Sequence, residues 1–154
     1  MTVFGKPLIH YVSFVRWFCF LLIVVGLTRL ALSLRGVPNS ETKWISMSAV
    51  MAIGVIYYAV RVHTTGFGSY KQLLPVVVIP NTVTHLVSIT GILFGIFSGQ
   101  DNVFTAPEYS FGNGKTWVHV GAHLGIGMTV GALVNWLIGC LFLFIAKKLV
   151  RPKG

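Results

Sequence analysis

The stretch that decides the fold is residues 72–98, which read QLLPVVVIPNTVTHLVSITGILFGIFS. It carries no Asp, Glu, Lys or Arg, and it exceeds the roughly 20 predominantly apolar residues that a helix needs to cross the hydrocarbon core of a bilayer. Comparable apolar runs predict three further helices at about 11–34, 42–62 and 117–148. The sequence therefore predicts an all-α polytopic membrane protein, with residues 1–154 forming a single integral membrane domain, a four-transmembrane-helix bundle.

The composition supports a lipid-solvated chain. Hydrophobic residues make up 55% and charged residues only 10%, whereas soluble domains carry about a quarter charged residues. The formal net charge of +9 comes largely from Lys and Arg at the edges of the apolar runs. Nucleic-acid-binding surfaces instead cluster these residues on one soluble face. We therefore expect the lipid bilayer as a partner and no nucleic acid.

The carboxylates predict an orientation. Only Glu41, Asp101 and Glu108 are acidic, and all three fall in the first and third predicted loops, on one side of the membrane. The opposite side receives basic residues without carboxylates, so the positive-inside rule places both termini in the cytoplasm (N-in/C-in). A short chain without organelle targeting signals favours the bacterial cytoplasmic (inner) membrane. Pairing through Gly-rich helix faces leaves open a homo-oligomer or other membrane subunits.

The third predicted helix carries a polar face. Asn81, Thr84, His85 and Ser88 recur at spacings of three and four, so they share one side of a helix. Bare polar groups in hydrocarbon cost several kcal/mol, so this side is expected to face the bundle interior and to bind a ligand. Near the midplane, His85 has several interpretations: a neutral structural imidazole, a haem ligand, a quinone hydrogen-bond donor or a proton-relay member.

A matching stripe runs down the fourth predicted helix at a spacing of four. It consists of His119, His123, Gly127, Gly131 and Asn135. The Gly-x-x-x-Gly spacing permits close approach of the neighbouring helix. Depth counting puts Asn135 level with Asn81, which predicts a hydrogen bond between them and a second ligand-binding amide.

His119 and His123 lie one turn apart, a spacing that lets two imidazoles reach a single metal ion. Asp101 and Glu108 in the adjoining loop could complete a site for zinc, iron or copper. The commoner alternative is a pair of interfacial histidines bonded to loop carbonyls.

A haem held by His85 and His123 is disfavoured by depth. Counting from the helix ends separates their levels by roughly 10 Å at 1.5 Å per residue. At the mouth of the bundle, Arg29 is expected at the level of the last-helix histidines. The loop 99–116 is expected to form a folded cap that roofs a ligand pocket there, with Tyr109 as an aromatic wall.

Three functions follow from these patterns. The leading hypothesis is a membrane subunit or small-ligand-binding module with a polar, histidine-containing seam between the third and fourth helices. The second is a redox or metal-dependent membrane enzyme component using a transition metal, haem or quinone, and the third is a small transporter or channel protomer. No residue is singled out as catalytic, so whether the protein is an enzyme and which cofactor it holds stay open.

Overall fold

The chain forms four helices that are long and apolar enough to cross a membrane, Leu8–Leu34, Asn39–Thr64, Tyr70–Ser98 and Trp117–Leu149. The structure, a computed structural model, describes residues 1–110 and 112–150, and of Tyr109 only the backbone. The predicted all-helical fold with four helices of spanning length is confirmed.

Two of these spans, Asn39–Thr64 and Trp117–Leu149, are divided into shorter elements. In chain order the elements are β1 (Thr2–Val3), β2 (Lys6–Pro7), α1 (Leu8–Leu34), α2 (Asn39–Thr42), α3 (Met47–Thr64), α4 (Tyr70–Ser98), α5 (Pro107–Ser110), α6 (Trp117–Ala122), a π-helix (His123–Gly131) and α7 (Ala132–Leu149). The second predicted helix is therefore corrected at its start. It begins at Met47 because the Ser46 side chain accepts a hydrogen bond from the Ala49 N–H at 3.3 Å, which caps the first turn.

A small antiparallel hairpin precedes α1, and nothing in the sequence patterns had indicated it. Its two-residue turn places Phe4 at φ 48° and Gly5 at φ 82°, the left-handed conformations that a tight hairpin turn requires. The Tyr11 hydroxyl donates to the Val3 carbonyl at 2.9 Å, and the Gln72 amide donates to the Phe4 carbonyl at 3.0 Å. These bonds tie the hairpin to α1 and α4.

Aromatic rings fill the bundle next to this hairpin. We call this cluster the aromatic end; it consists of Tyr11, Phe14, Phe18, Tyr58 and Phe67. The rings of Phe14 and Phe67 stack with centroids 4.1 Å apart, and Tyr11 is fully buried edge-on to Phe67. Offset and edge-to-face ring pairs add stabilisation beyond their buried area, so this end is closed by packing.

Small residues let the helices approach one another. A side chain at Gly54 of α3 would overlap the Phe18 ring of α1, and a Cβ at Gly26 of α1 would lie 2.5 Å from Val87 Cγ1 of α4. Helix α4 also packs on the π-helix and α7, while α3 packs on α7. The four long helices therefore enclose a common core.

At the opposite end, the connection between α4 and α6 folds back onto α4. The Asn102 amide donates to the Gly91 carbonyl at 2.9 Å, and the Phe104 ring occupies the space that a side chain at Gly91 would need. Thr105 packs in the same way against Gly95. The described part of this loop is thus a folded cap, as its aromatic and turn residues predict.

Candidate functional site

A cavity of about 260 Å³ lies at the capped end of the bundle. We call it the histidine cavity. Its walls are Arg29, Lys43, Ser46, Met47, Ser48, Thr84, His85, Ser88, Val103, Phe104, His119 and His123. All four long helices or the segments leading into them contribute to it, as does the cap loop. The exposed Lys43 and Ser48 bring the cavity to the protein surface.

The polar face of α4 points into the bundle, as its periodicity predicts. Asn81 and Ser88 are buried, and Thr84 and His85 are partly buried. The Ser88 hydroxyl donates to the Thr84 carbonyl at 3.2 Å. Because this hydroxyl hydrogen is used within the helix, Ser88 has no side-chain donor left for a ligand.

Two histidines from different helices meet at the cavity wall. His85 Nδ1 of α4 and His123 Nδ1 of the π-helix lie 2.8 Å apart, a hydrogen-bond distance. One ring must donate and the other accept, so the two imidazoles cannot both be protonated while this bond exists. His119 follows one turn away, its ring centroid 5.0 Å from that of His123 and its Nδ1 3.0 Å from the Gly114 carbonyl.

The expected difference of roughly 10 Å between the levels of His85 and His123 is therefore wrong. Gly127 lies directly beside the His85 ring, since a Cβ there would be 2.5 Å from His85 Cε1. His123 lies four residues before Gly127, so about one helical turn separates it from the level of His85, a gap that two imidazole side chains can close. Counting from the helix ends overestimated the offset because the folded-back loop shifts α6 relative to α4. The two nitrogens are bonded directly, which leaves no room for a haem iron between them.

Two asparagines form the predicted link between α4 and α7. The Asn135 amide donates to Asn81 Oδ1 at 3.2 Å, and the Asn81 amide donates to the Gly127 carbonyl at 3.2 Å. The predicted Asn–Asn hydrogen bond is confirmed. These two bonds hold α4 to the last helix, and neither asparagine is among the residues that line the cavity.

The π-helix of residues His123–Gly131 explains how the stripe stays on one face. Four residues overshoot an α-helical turn of 3.6, so a stripe spaced by fours rotates steadily around an α-helix. Hydrogen bonds in a π-helix run from i to i+5, which widens the turn and rotates the stripe back. This π-helix was not predicted, although a stripe of polar residues and glycines with a period of four rather than 3.6 is the signal that could have indicated it.

The predicted metal-ligand set does not come together. Asp101 pairs with Lys115 at 3.0 Å with its side chain 85% exposed, and Glu108 accepts a hydrogen bond from the Asn39 amide at 3.2 Å. Neither lines the histidine cavity. Among the described residues, no group of three His, Cys, Asp or Glu side chains is placed to hold one metal ion.

The pKa of Glu108 is set by hydrogen bonds within the cap loop and to Asn39. A hydrogen bond from its own backbone N–H and a second from Asn39 lower the pKa of the Glu108 carboxyl below its ordinary value. The carboxylate is fully exposed, so it acts as a loop anchor between Asn39 and the cap.

Arg29 lines the cavity as predicted, whereas the side chain of Tyr109, the predicted aromatic wall, lies outside the described residues. Phe104 supplies an aromatic wall in the part that is described. Lys43, Ser46 and Phe104 were missed as cavity residues because their proximity depends on how the loops fold.

Comparisons with protein-family models, with curated proteins and with solved structures find no match. Function is therefore inferred from the geometry of this chain.

Proposed function

We propose that the protein is an integral membrane protein that crosses the bilayer four times, with both termini in the cytoplasm, and binds a small ligand in the histidine cavity. Insertion is supported by large apolar side chains on the outer surface, such as Ile53 at 68% exposure and Val118 at 82%. Soluble monomers rarely expose contiguous apolar surface on this scale. Lipid, or in part another copy or membrane subunit, would cover it.

The charge distribution supports the orientation. Lys6 lies over the Phe67 ring and the Lys147 ammonium donates to Ser69 Oγ, so both cations are at the aromatic end. Glu108 and Asn39 meet at the capped end, which holds the carboxylates. By the positive-inside rule the aromatic end is cytoplasmic, and the plain positive-inside pattern fits a bacterial cytoplasmic membrane.

The observation that carries the proposal is the histidine cavity itself. Polar side chains from separate helices converge on one partly enclosed space with apolar walls, which is the usual construction of a small-molecule site. Towards the aromatic end, Leu22, Leu73 and Leu143 are fully buried. Because packed side chains fill that half of the described chain, the arrangement favours a one-sided binding site over a channel. A redox or metal-dependent role would need ligands beyond the bonded histidine pair.

Cysteine accessibility tests the membrane placement. In a background with Cys19→Ala and Cys140→Ala, we expect the Thr84→Cys variant to react in intact bacterial cells with a membrane-impermeant maleimide. Leu86→Cys is the matched control on the same helix, since Leu86 is 49% exposed on the outer face and a thiol in lipid rarely ionises. Equal labelling of both would contradict insertion, and labelling only in inverted vesicles would contradict the orientation.

Ligand binding is tested with three compounds that share a benzene ring and differ in charge. We expect benzoate, benzamide or benzylamine to raise the unfolding temperature of the purified protein, and Ser48→Phe, which fills the cavity mouth, to abolish the rise. Ile53→Phe adds the same ring to the outer face of the same helix and should leave it intact. If none of the three compounds shifts the unfolding temperature, the proposed ligand-binding function is wrong.

A further inference from the structure

We infer that the ligand of the histidine cavity is a small organic carboxylate: the cationic wall, chiefly Arg29, would hold its carboxylate, and the apolar wall would hold its body. This inference rests on the proposed function and adds the chemical class. It draws on three independent properties of the cavity: charge, hydrogen-bonding capacity and size.

The charge of the wall favours an anion. Arg29 and Lys43 line the cavity, and no Asp or Glu is among its described lining residues. Two of the chain's three carboxylates are engaged elsewhere, Asp101 with Lys115 and Glu108 with Asn39. A concave site lined by one sign of charge with low-dielectric walls concentrates ions of the opposite sign. A cationic ligand would meet two like charges at this wall.

Hydrogen bonding at the wall distinguishes a carboxylate from a neutral polar group. The planar guanidinium of Arg29 carries a fork of N–H donors and no acceptor, so it can bond a carboxylate oxygen beside the contact that it already makes within the chain. The histidine pair, with Nδ1 bonded to Nδ1 at 2.8 Å, carries no negative charge and so does not repel a carboxylate. Lys43 supplies three more donors at the mouth. A carboxylate therefore gains hydrogen bonds in which both partners are charged, whereas a neutral amide gains only bonds in which one partner is charged.

Size and the apolar wall exclude large or purely inorganic ligands. The cavity volume of about 260 Å³ falls just below the roughly 300–1,000 Å³ of typical drug-sized ligand sites. Met47, Val103 and Phe104 form its apolar side. An inorganic oxyanion would leave this side in contact with water, whereas a short-chain or single-ring carboxylate covers it and gains the favourable burial of apolar surface.

The test measures binding of benzoate, benzamide, benzylamine and inorganic phosphate to the full-length protein in detergent, by unfolding temperature and by calorimetry. Benzoate alone should bind, and its affinity should fall as salt is added because the attraction is electrostatic. Arg29→Gln should weaken benzoate binding about tenfold or more, the equivalent of one lost charged hydrogen bond. Lys43→Gln should weaken it less because this cation is exposed to solvent.

Two control variants distinguish the effect of a cation in the cavity wall from the effect of the protein's overall positive charge. Arg35→Gln removes one cation from the end of the same helix without touching the cavity and should leave benzoate affinity unchanged. Arg29→Lys keeps the charge but loses the fork and should restore part of the affinity. If Arg29→Gln does not fold, the Lys43→Gln variant and the four probes on the unaltered protein still decide the question.

The possible outcomes distinguish the two proposals. Binding of benzamide or benzylamine as tight as that of benzoate would overturn the carboxylate assignment and leave the ligand-binding function standing. Binding of phosphate as tight as that of benzoate would overturn the organic part of the assignment. Absence of binding by all three ring compounds would overturn both proposals.

Discussion

Aromatic rings fill the space between the helices at the end of the bundle that lies next to the N-terminal hairpin. At the opposite end, polar side chains surround a cavity. Phe14 and Phe67 stack at 4.1 Å in the first region. In the second, His85 and His123 meet at 2.8 Å beside an opening of about 260 Å³. The same four helices therefore form a closely packed end and an end with a polar cavity.

This difference predicts that protein stability and ligand binding depend on different residues. Close-packed interiors lose free energy when side chains are truncated, since the surroundings relax only partly. Cavity walls have fewer partners to lose. We therefore expect substitutions at the aromatic end to affect unfolding strongly and ligand binding little, and substitutions at the histidine cavity to do the reverse.

The largest expected effect is a loss of stability when the packing of the aromatic end is disrupted. Tyr11→Ala removes a fully buried ring and its hydrogen bond to the Val3 carbonyl, and should lower the free energy of unfolding by about 3 kcal/mol. Unfolding in mixed micelles titrated with a denaturing detergent measures it. Trp17→Ala, at a side chain 70% exposed on the same helix, should change that free energy by less than about 0.5 kcal/mol. Equal losses in both variants would contradict the contrast between the two ends.

A smaller effect is expected where the last helix passes the histidine pair. A Cβ added by Gly127→Ala would lie 2.5 Å from His85 Cε1, so the rings must move, and overpacking of this kind costs about 2 kcal/mol. In Gly125→Ala, the control in the same π-helix, the added Cβ has nothing within 4 Å. That variant should be as stable as the parent protein, and a matching loss there would show that the contact with His85 is not the cause.

The asparagine link should contribute less again. A double-mutant cycle with Asn81→Ala and Asn135→Ala is expected to give a coupling energy of about 0.6 kcal/mol, the average for hydrogen bonds between membrane helices. The cycle is measured by the same detergent unfolding. Pairing Asn135→Ala with Asn39→Ala, at the far cap, provides the non-interacting reference. A coupling energy no larger than that of the reference pair would contradict the 3.2 Å bond.

The smallest expected effect is on how the stability of the cap loop depends on pH. Hydrogen bonds lower the pKa of Glu108 in the folded state, so their contribution to stability is present above the pKa of the unfolded state and is lost as pH falls through the folded value. Asn39→Ala should raise that pKa towards its ordinary value. Carboxyl carbon chemical shifts followed through an acid titration report it, and an unchanged titration would show that Asn39 does not act on Glu108.

The helices and the inward stripes could be read from the sequence because both signals are local. An apolar run long enough to span a bilayer is visible in residues 72–98 without any tertiary information. The inward direction of Asn81 and His85 follows from spacing alone, and the bond between Asn81 and Asn135 follows from matched depth. Each of these was predicted and is present.

The composition of the cavity could not be read in the same way. Lys43 and Phe104 come from loops, whose positions depend on packing rather than on periodicity. The depth of His123 was misjudged because the cap loop folds back onto Gly91 and shifts the start of the last helix. The carboxylates Asp101 and Glu108, close to the histidines in sequence, instead found partners in Lys115 and Asn39.

Hydropathy and period by themselves thus determined four long helices and the face that each polar stripe presents. Only the tertiary structure decided which histidines meet and which end of the bundle stays open. The physical reason is that hydropathy and helical period are properties of neighbouring residues, whereas the level of one helix against another is set by contacts between residues distant in the chain, such as Asn102 on Gly91 and Gly127 on His85.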